Sequence, residues 1–285
     1  MRLMKRILSA AAVLALSASL LVGCSSGTAS SVPVSASSAA ESTVSSVEET
    51  ASSAVDEKNK AAAAQLLNDL TGSYQELWPV ILADEYQQTW LDDCTALVGE
   101  DNAEAAFEKL SSMVTGDVYG EDAVKAYANG GGAYFCGFTN SLATLTFDGE
   151  TSTISGTDKD GNVLFSHTYH YIGMEPVRGL YEFESDDADS GEFTYFFLAP
   201  DTSAETYHIE FRYGSDAEAL SQYDAGEYAY WVASGISTDC DQTMIDNCIE
   251  LFCTENLAGQ YAECAVEQKR HGTFLHKNYL KEVFP

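Results

Sequence analysis

The spacing of hydrophobic residues between residues 59 and 113 predicts helices. Residues 59–70 are rich in alanine and leucine, which favour helices, and Thr71 with Gly72 ends this segment. An amphipathic segment follows over residues 73–82, interrupted by Pro79. Two further helices are predicted over residues 84–97 and 102–113, the second from apolar residues three and four apart. The globular part of the chain therefore begins with a helical lobe.

After Gly130 the pattern changes to short runs of β-forming residues. Strands are predicted over residues 133–138, 142–147, 151–157, 163–172, 179–184, 192–198, 206–213 and 228–232. Turn sequences that begin at Asp148, Asp160 and Ser190 separate several of them. Closely spaced short strands predict an antiparallel meander that closes into a barrel. With a last helix over residues 243–256, the predicted fold class is α+β: an antiparallel β-barrel with an N-terminal helical lobe and a C-terminal helix.

Residues 1–23 have the pattern of a secretory signal peptide. Arg2, Lys5 and Arg6 form a basic head, and the apolar run over residues 7–22 is short for a membrane-spanning helix. The run ends in the sequence LVGC, which resembles a lipobox with Cys24 as the lipidated residue. We therefore expect export and a lipid anchor on Cys24.

Residues 24–56 are almost entirely small or polar and include no aromatic residue. Such a segment cannot bury enough apolar surface to offset the entropy lost on ordering, so it is predicted to be a flexible, lipid-anchored linker. Residues 57–285 are long enough for one domain with its own core. We expect this domain to be a monomer held at the cell membrane, facing the extracytoplasmic side.

Charge and motifs exclude several functions. The formal net charge of -30 repels nucleic acid, whereas it attracts cations. The sequence contains no Walker-type or HExxH motif, and its one GxSxG match, residues 23–27, falls at the signal-peptide boundary. No pairing of a nucleophile with a base emerges. We therefore expect a binding protein that is not an enzyme.

The chain has seven cysteines. Lipidation of Cys24 leaves six, an even number in an exported chain, so up to three disulfides are possible. Cys240, Cys248, Cys253 and Cys264 lie close together in the sequence, and we expect at least one disulfide in this C-terminal region. The alternative for Cys248 is a small buried hydrophobic residue on an apolar helix face.

Candidate metal ligands lie on the strand predicted over residues 206–213. Side chains two apart share a strand face, which puts His208 and Glu210 together with Thr206 and Arg212. An imidazole and a carboxylate in this arrangement can bind one zinc ion. The alternative is structural: Glu210 pairs with a cation such as Arg212, and His208 is a satisfied interior residue.

Two more histidines lie on the strand predicted over residues 163–172. His167 and His170 are three apart, so they face opposite sides of the strand. The interior face is expected to carry Phe165, His167 and Tyr169, which makes His167 the better third ligand. The remaining histidines lie in a polar, basic tail and are expected to be solvated.

Three motifs together resemble the ZinT (YodA) family of extracytoplasmic zinc-binding proteins. They are GSYQELWP from Gly72, FFLAP from Phe196 and HIEFRYGSD from His208. The resemblance implies a lipocalin-like calycin barrel that binds zinc at its mouth and takes part in zinc capture and delivery to importers. His208 matches the first histidine of the family's His-x-His, and Glu210 replaces the second. Phe196 stands where the family has a third histidine.

These observations lead to one leading function and two alternatives. The leading function is an extracytoplasmic lipoprotein that binds zinc or a related divalent metal through His208, Glu210 and His167, with water as the fourth ligand, and passes it to a metal ABC importer. The first alternative is a lipocalin-like barrel that binds a small organic ligand. The second is a surface interaction domain that binds no metal.

Overall fold

The computed structural model describes residues 41–199, 206 and 208–257, with side chains described from residue 55 onward. Eight antiparallel strands form a closed barrel in which each strand pairs with the next and β8 pairs with β1. The strands are β1 (Gly72–Glu76), β2 (Thr144–Asp148), β3 (Thr153–Thr157), β4 (Val163–Met174), β5 (Tyr181–Ser185), β6 (Tyr195–Leu198), β7 (His208–Gly214) and β8 (Ala233–Ser237). This up-and-down topology is that of lipocalins, so the predicted antiparallel lipocalin-like barrel is confirmed.

Helices precede the barrel, cover part of its outer surface and follow its last strand. They are α1 (Glu41–Asp69), α2 (Leu77–Ile81), α3 (Gln87–Val98), α4 (Glu100–Val114), α5 (Glu121–Ala128), α6 (Ala217–Leu220) and α7 (Gln242–Leu257). Two short 3₁₀ turns cover Asp84–Tyr86 and Gly191–Phe193. Within the described part of the chain, no helix is both long enough and apolar enough to span a membrane.

The start of α1 differs from the sequence prediction. This helix begins at Glu41, so residues 41–56 of the predicted flexible linker are helical. Serine, threonine and valine occupy ten of these sixteen positions, so helix propensity does not account for the difference. The signal peptide and Cys24 lie outside the described residues.

The segment over residues 73–82 is a strand followed by a helix, and not one amphipathic segment. Tyr74 pairs with Leu145 on one side and Ser237 on the other, so β1 closes the barrel. Pro79 lies in the first turn of α2, where its missing N–H leaves no helix hydrogen bond unmade. Local pattern did not reveal β1 because its two partners come from distant parts of the sequence.

Two other predicted strands differ from the structure. Residues 133–138 make only isolated bridges, from Phe135 to Thr115 and Trp231. The last strand begins at Ala233, after the predicted 228–232 segment, since Tyr230 has a φ of 58° that is incompatible with a strand. The ring of Tyr230 stacks on Tyr127 with centroids 3.7 Å apart, so tertiary packing holds this conformation.

Aromatic side chains fill the inside of the barrel. Phe196 lies among Phe165, Tyr169, Phe211 and Tyr213, with ring centroids 5.4 to 6.3 Å from its own. All five rings are buried. The interior is therefore a packed core, as expected for a small eight-stranded barrel.

A second apolar cluster joins four helices to the outer face of β8. Its central residues are Leu77, Trp78, Ile81, Trp90, Leu110, Ile236 and Ile249. Trp90 donates a hydrogen bond from Nε1 to the carbonyl oxygen of Ile81 at 2.7 Å, which ties α3 to α2. The helices α2, α3, α4 and α7 thus form a layer on one side of the barrel, and this layer covers the candidate site.

Acidic side chains meet where α3 packs on α7. Burial, and then the charges of Glu250, Asp246 and Asp92, raise the pKa of Asp93 from 3.8 to about 6. Between these two values the folded state holds the proton more tightly than the unfolded chain does. The stability contributed at Asp93 is therefore present at low pH and is lost as the pH rises through about 6.

Asp93→Asn should stabilise the protein at neutral pH, because it removes a charge that burial and its neighbours disfavour. After allowance for solvent screening we expect a gain of about 1 kcal/mol at about pH 8 and none at about pH 4, measured by urea unfolding. Glu104→Gln is the control, since Glu104 is exposed on α4 and is not among the groups that raise the pKa of Asp93. An equal gain at both pH values would contradict the account.

Candidate functional site

Strand β7 separates its side chains between the barrel core and the helical layer. Ile209 and Phe211 belong to the barrel core, so His208 and Glu210 face outward by alternation. On the neighbouring strand, His208 is opposite Ile236, a member of the helical layer. His208 and Glu210 therefore share one face, as the strand period predicts, and that face is the outer one.

A neighbouring hydroxyl orients the imidazole of His208. Nδ1 of His208 lies 2.7 Å from Oγ1 of Thr206. When Nδ1 donates this bond, the lone pair is on Nε2, the arrangement typical of metal-binding histidines. The backbone oxygen of Thr206 accepts a hydrogen bond from Sγ of Cys248 at 3.2 Å, so α7 positions this residue in turn.

Glu210 lines a cavity of roughly 50 Å³ beside the helical layer, a volume that holds a few water molecules. The other lining residues include Trp78, Cys136, Arg178, Ser234, Phe252 and Asn256. Burial, together with the charge of Glu210, raises the pKa of the Cys136 thiol and so disfavours its thiolate form. The cavity is mainly apolar, with a carboxylate and a guanidinium in its wall.

The outward-facing Arg212 is fully buried by the segment that follows β7. Its guanidinium donates hydrogen bonds to the carbonyl oxygens of Leu220, Gln222 and Tyr228. It also lies over the ring of Tyr223, with Cζ 4.5 Å from the centroid. Arg212 therefore fixes the segment after β7, a role other than the pairing with Glu210 that the structural alternative offered.

His167 lies away from the other two expected ligands. It faces the barrel interior beside Phe165 and Tyr169, as predicted. The ladder from β7 to β4 puts Phe211 level with Met174. His208 lies three residues before Phe211 on β7, and His167 lies seven residues before Met174 on β4. Because β4 and β7 run in opposite directions, the two histidines lie on opposite sides of the level of Phe211 and Met174.

Along this ladder the two histidines are therefore ten residues apart, seven on β4 and three on β7. The two imidazoles also lie on opposite faces of the barrel wall. The expected third ligand is thus not brought to His208 and Glu210, because the barrel order puts two strands between β4 and β7. Sequence spacing within one strand could not reveal this.

The histidines of β4 each contact an aspartate of the loop after β5. Nδ1 of His167 lies 2.7 Å from Oδ2 of Asp187, and Nδ1 of His170 lies 2.7 Å from Oδ1 of Asp186. The two imidazoles face opposite sides of the strand, which confirms the prediction from their spacing. They form two separate pairs at the rim of the barrel.

The donors at the site fall short of a three-ligand zinc centre. Catalytic and exchangeable zinc sites commonly use three protein ligands and one water. Among the residues that the structure describes, no group of three or more His, Cys, Asp or Glu side chains could hold a metal ion. Phe196, at the family's third position, is buried in the barrel core. His271, His276 and Cys264 lie outside the described residues. The structure brings His208 and Glu210 to one face of β7.

Sequence analysis missed the cavity wall next to Glu210. Cys136, Arg178 and Ser234 come from a loop, a turn and strand β8, and no shared motif links them. The only local signal was the alternation on β7, which shows the face of Glu210 but not what covers it.

Two of the solved structures to which the chain is similar contain a ZinT-like domain. One is the Zn(II)-bound ZinT-like domain of Streptococcus pneumoniae AdcA, at 16% identity and a TM-score of 0.41, covering 65% of this chain and 89% of that domain. That domain is ZinT-like, the family that the sequence motifs resemble. The other is Zn(II)-bound AdcA from the same organism, at 17% identity and a TM-score of 0.38, covering 66% of this chain and 35% of AdcA. No protein-family model and no curated protein matches the sequence.

Proposed function

We propose that this chain is an extracytoplasmic lipoprotein, anchored through Cys24, that binds a divalent metal, zinc foremost, as cargo. The observation that carries the proposal is the shared outward face of His208 and Glu210, with Thr206 positioned to set the imidazole tautomer. The resemblance to ZinT motifs and the net charge of -30 add support. His208 and Glu210 bind the ion, and water completes its coordination.

A site with two protein donors suits transfer better than storage. Fewer protein ligands hold the ion less tightly, and water in the remaining positions is readily replaced by a ligand from an acceptor protein. We propose that the acceptor is a metal ABC importer in the same membrane. The signal peptide, the lipid anchor and this importer are parts of the proposal that rest on the sequence pattern.

Zinc titration of the demetallated protein tests the site. We expect one zinc per chain by calorimetry and elemental analysis, with an affinity at least about tenfold lower in His208→Ala and Glu210→Gln. His167→Ala and His170→Ala are the matched controls, since both imidazoles lie on β4 and pair with aspartates. Equal stoichiometry and affinity in all four variants would refute the assignment.

A small organic ligand is the second candidate, and the cavity beside Glu210 favours it over the barrel interior. Trp78 and Phe252 offer apolar surface there, and Arg178 offers a charge. The cavity of roughly 50 Å³ is nevertheless much smaller than the ~300–1,000 Å³ of typical ligand sites, so the metal is preferred. Displacement of an apolar dye, lost in Trp78→Ala and insensitive to zinc, would favour the organic ligand.

A further inference from the structure

Two cysteines distant in sequence meet between α3 and α7. Cys94 and Cys253 are both 0% exposed, and their Sγ atoms lie 3.9 Å apart. The helices are held in this arrangement by neighbouring aromatic rings, with Trp90 and Phe252 edge to face at 6.0 Å. The two thiols are therefore kept close by packing that does not depend on them.

Two of the other three described cysteines have different surroundings, and the third, Cys240, is half-buried and lies near Cys248. Cys248 lies on the same helix as Cys253 but directs its sulfur to the backbone oxygen of Thr206. Cys136 lies beside Glu210 and within hydrogen-bonding reach of Ser234. The sequence predicted at least one disulfide within the C-terminal group, whereas the fold puts Cys94 next to Cys253.

We propose that Cys94 and Cys253 form a disulfide in the mature protein. A disulfide needs its sulfur atoms at about 2.05 Å, so side-chain rotation has to close a gap of roughly 2 Å. The burial of both sulfurs means that oxidation takes place while the chain folds, before α7 is fully packed. Formation in the cell rests on the proposed export, because oxidising compartments are where such bonds persist.

The chemistry is thiol–disulfide exchange with a disulfide oxidant. One cysteine thiolate attacks the oxidant's S–S bond, forming a mixed disulfide and releasing the first oxidant thiol. The second cysteine thiolate then attacks the protein sulfur of that mixed disulfide and releases the second oxidant thiol. The protein loses two S–H bonds and gains one S–S bond. The oxidant accepts the two electrons and the two protons.

The bond would fasten α7 to α3 within the helical layer. Asp93 and Glu250 bring like charges to the same pair of helices, and this repulsion works against their packing. A cross-link between α3 and α7 also closes a long loop that contains the whole of β2 to β8, which restricts the unfolded chain. The disulfide would thus keep the layer over His208 and Glu210 in place.

Peptide mapping of the full chain, prepared reduced and then refolded with oxidised glutathione, tests the pairing without relying on export. We expect a peptide containing Cys94 joined to one containing Cys253. We also expect the melting temperature to fall on the order of 10 °C when reductant is added. Cys94→Ala and Cys253→Ala should lose this response, while Cys248→Ala, altered on the same helix, should retain it.

Two outcomes would overturn the proposal: free thiols at both positions after refolding with glutathione, or a cross-link of Cys253 to Cys264 in place of Cys94. The same mapping on protein recovered from cells addresses export separately. A bond that forms with glutathione but is absent from the cellular protein supports the pairing and contradicts the proposed oxidising location.

Discussion

Arg212→Met should lower the free energy of unfolding by about 3–5 kcal/mol, because it leaves buried carbonyl oxygens without their donor. The carbonyls of Leu220, Gln222 and Tyr228 belong to the segment that folds back over the outer face of β7. Methionine preserves much of the side-chain volume, so the loss reports on the hydrogen bonds more than on a cavity. Urea unfolding followed by tryptophan fluorescence measures it.

Arg178→Met is the matched control for this prediction. Arg178 lies over the same ring of Tyr223, with Cζ 3.9 Å from the centroid, but it is only half-buried. Its replacement should cost about 1 kcal/mol or less, the usual range for an exposed cation–π contact. Equal losses in the two variants would show that the backbone carbonyls do not account for the role of Arg212.

Phe196→Ala should destabilise the protein by about 3–5 kcal/mol, because it opens a cavity in the packed barrel interior. Phe196 is 0% exposed, and its ring contacts aromatic rings on β4 and on β7. Rigid rings on several strands cannot easily collapse into the space, so the upper half of this range is expected. Thermal and urea unfolding measure the loss.

Val163→Ala is the control for the core substitution, since Val163 lies on β4 and is 70% exposed. It should change stability by no more than about 0.5 kcal/mol. Phe196→His, which restores the residue of the ZinT-like motif, should also be destabilised and should leave zinc affinity unchanged. A gain in zinc affinity in Phe196→His would mean that the family's third ligand position reaches His208 after all.

Most strands were predictable because their partners are close in sequence. The strands β2 to β5 are each joined by a short connection to the next, so alternation and turn residues mark them locally. β1 was missed since both of its partners are distant, with Leu145 on one side and Ser237 on the other. The strand predicted over residues 133–138 is wrong for a different reason. β-forming residues are present, but every strand of the closed barrel already has two partners.

The candidate site, too, was only partly predictable from the sequence. That His208 and Glu210 share a face follows from the strand period alone. That this face is the outer one follows from which side the aromatic core occupies, and the separation of His167 follows from the strand order. The contact of Cys94 with Cys253 depends on how α3 packs on α7, which no spacing in the sequence encodes.

The sequence by itself determined the class of the fold, the order of most of its elements and the shared strand face of His208 and Glu210. These features depend on local periodicity and turn chemistry. The tertiary structure decided how the barrel closes, which face of β7 meets the helical layer, and which side chains surround Glu210. These depend on contacts between residues far apart in the chain, where the competition among possible partners is settled by packing. The two proposed donors were visible in the sequence, whereas their separation from His167 was visible only in the fold.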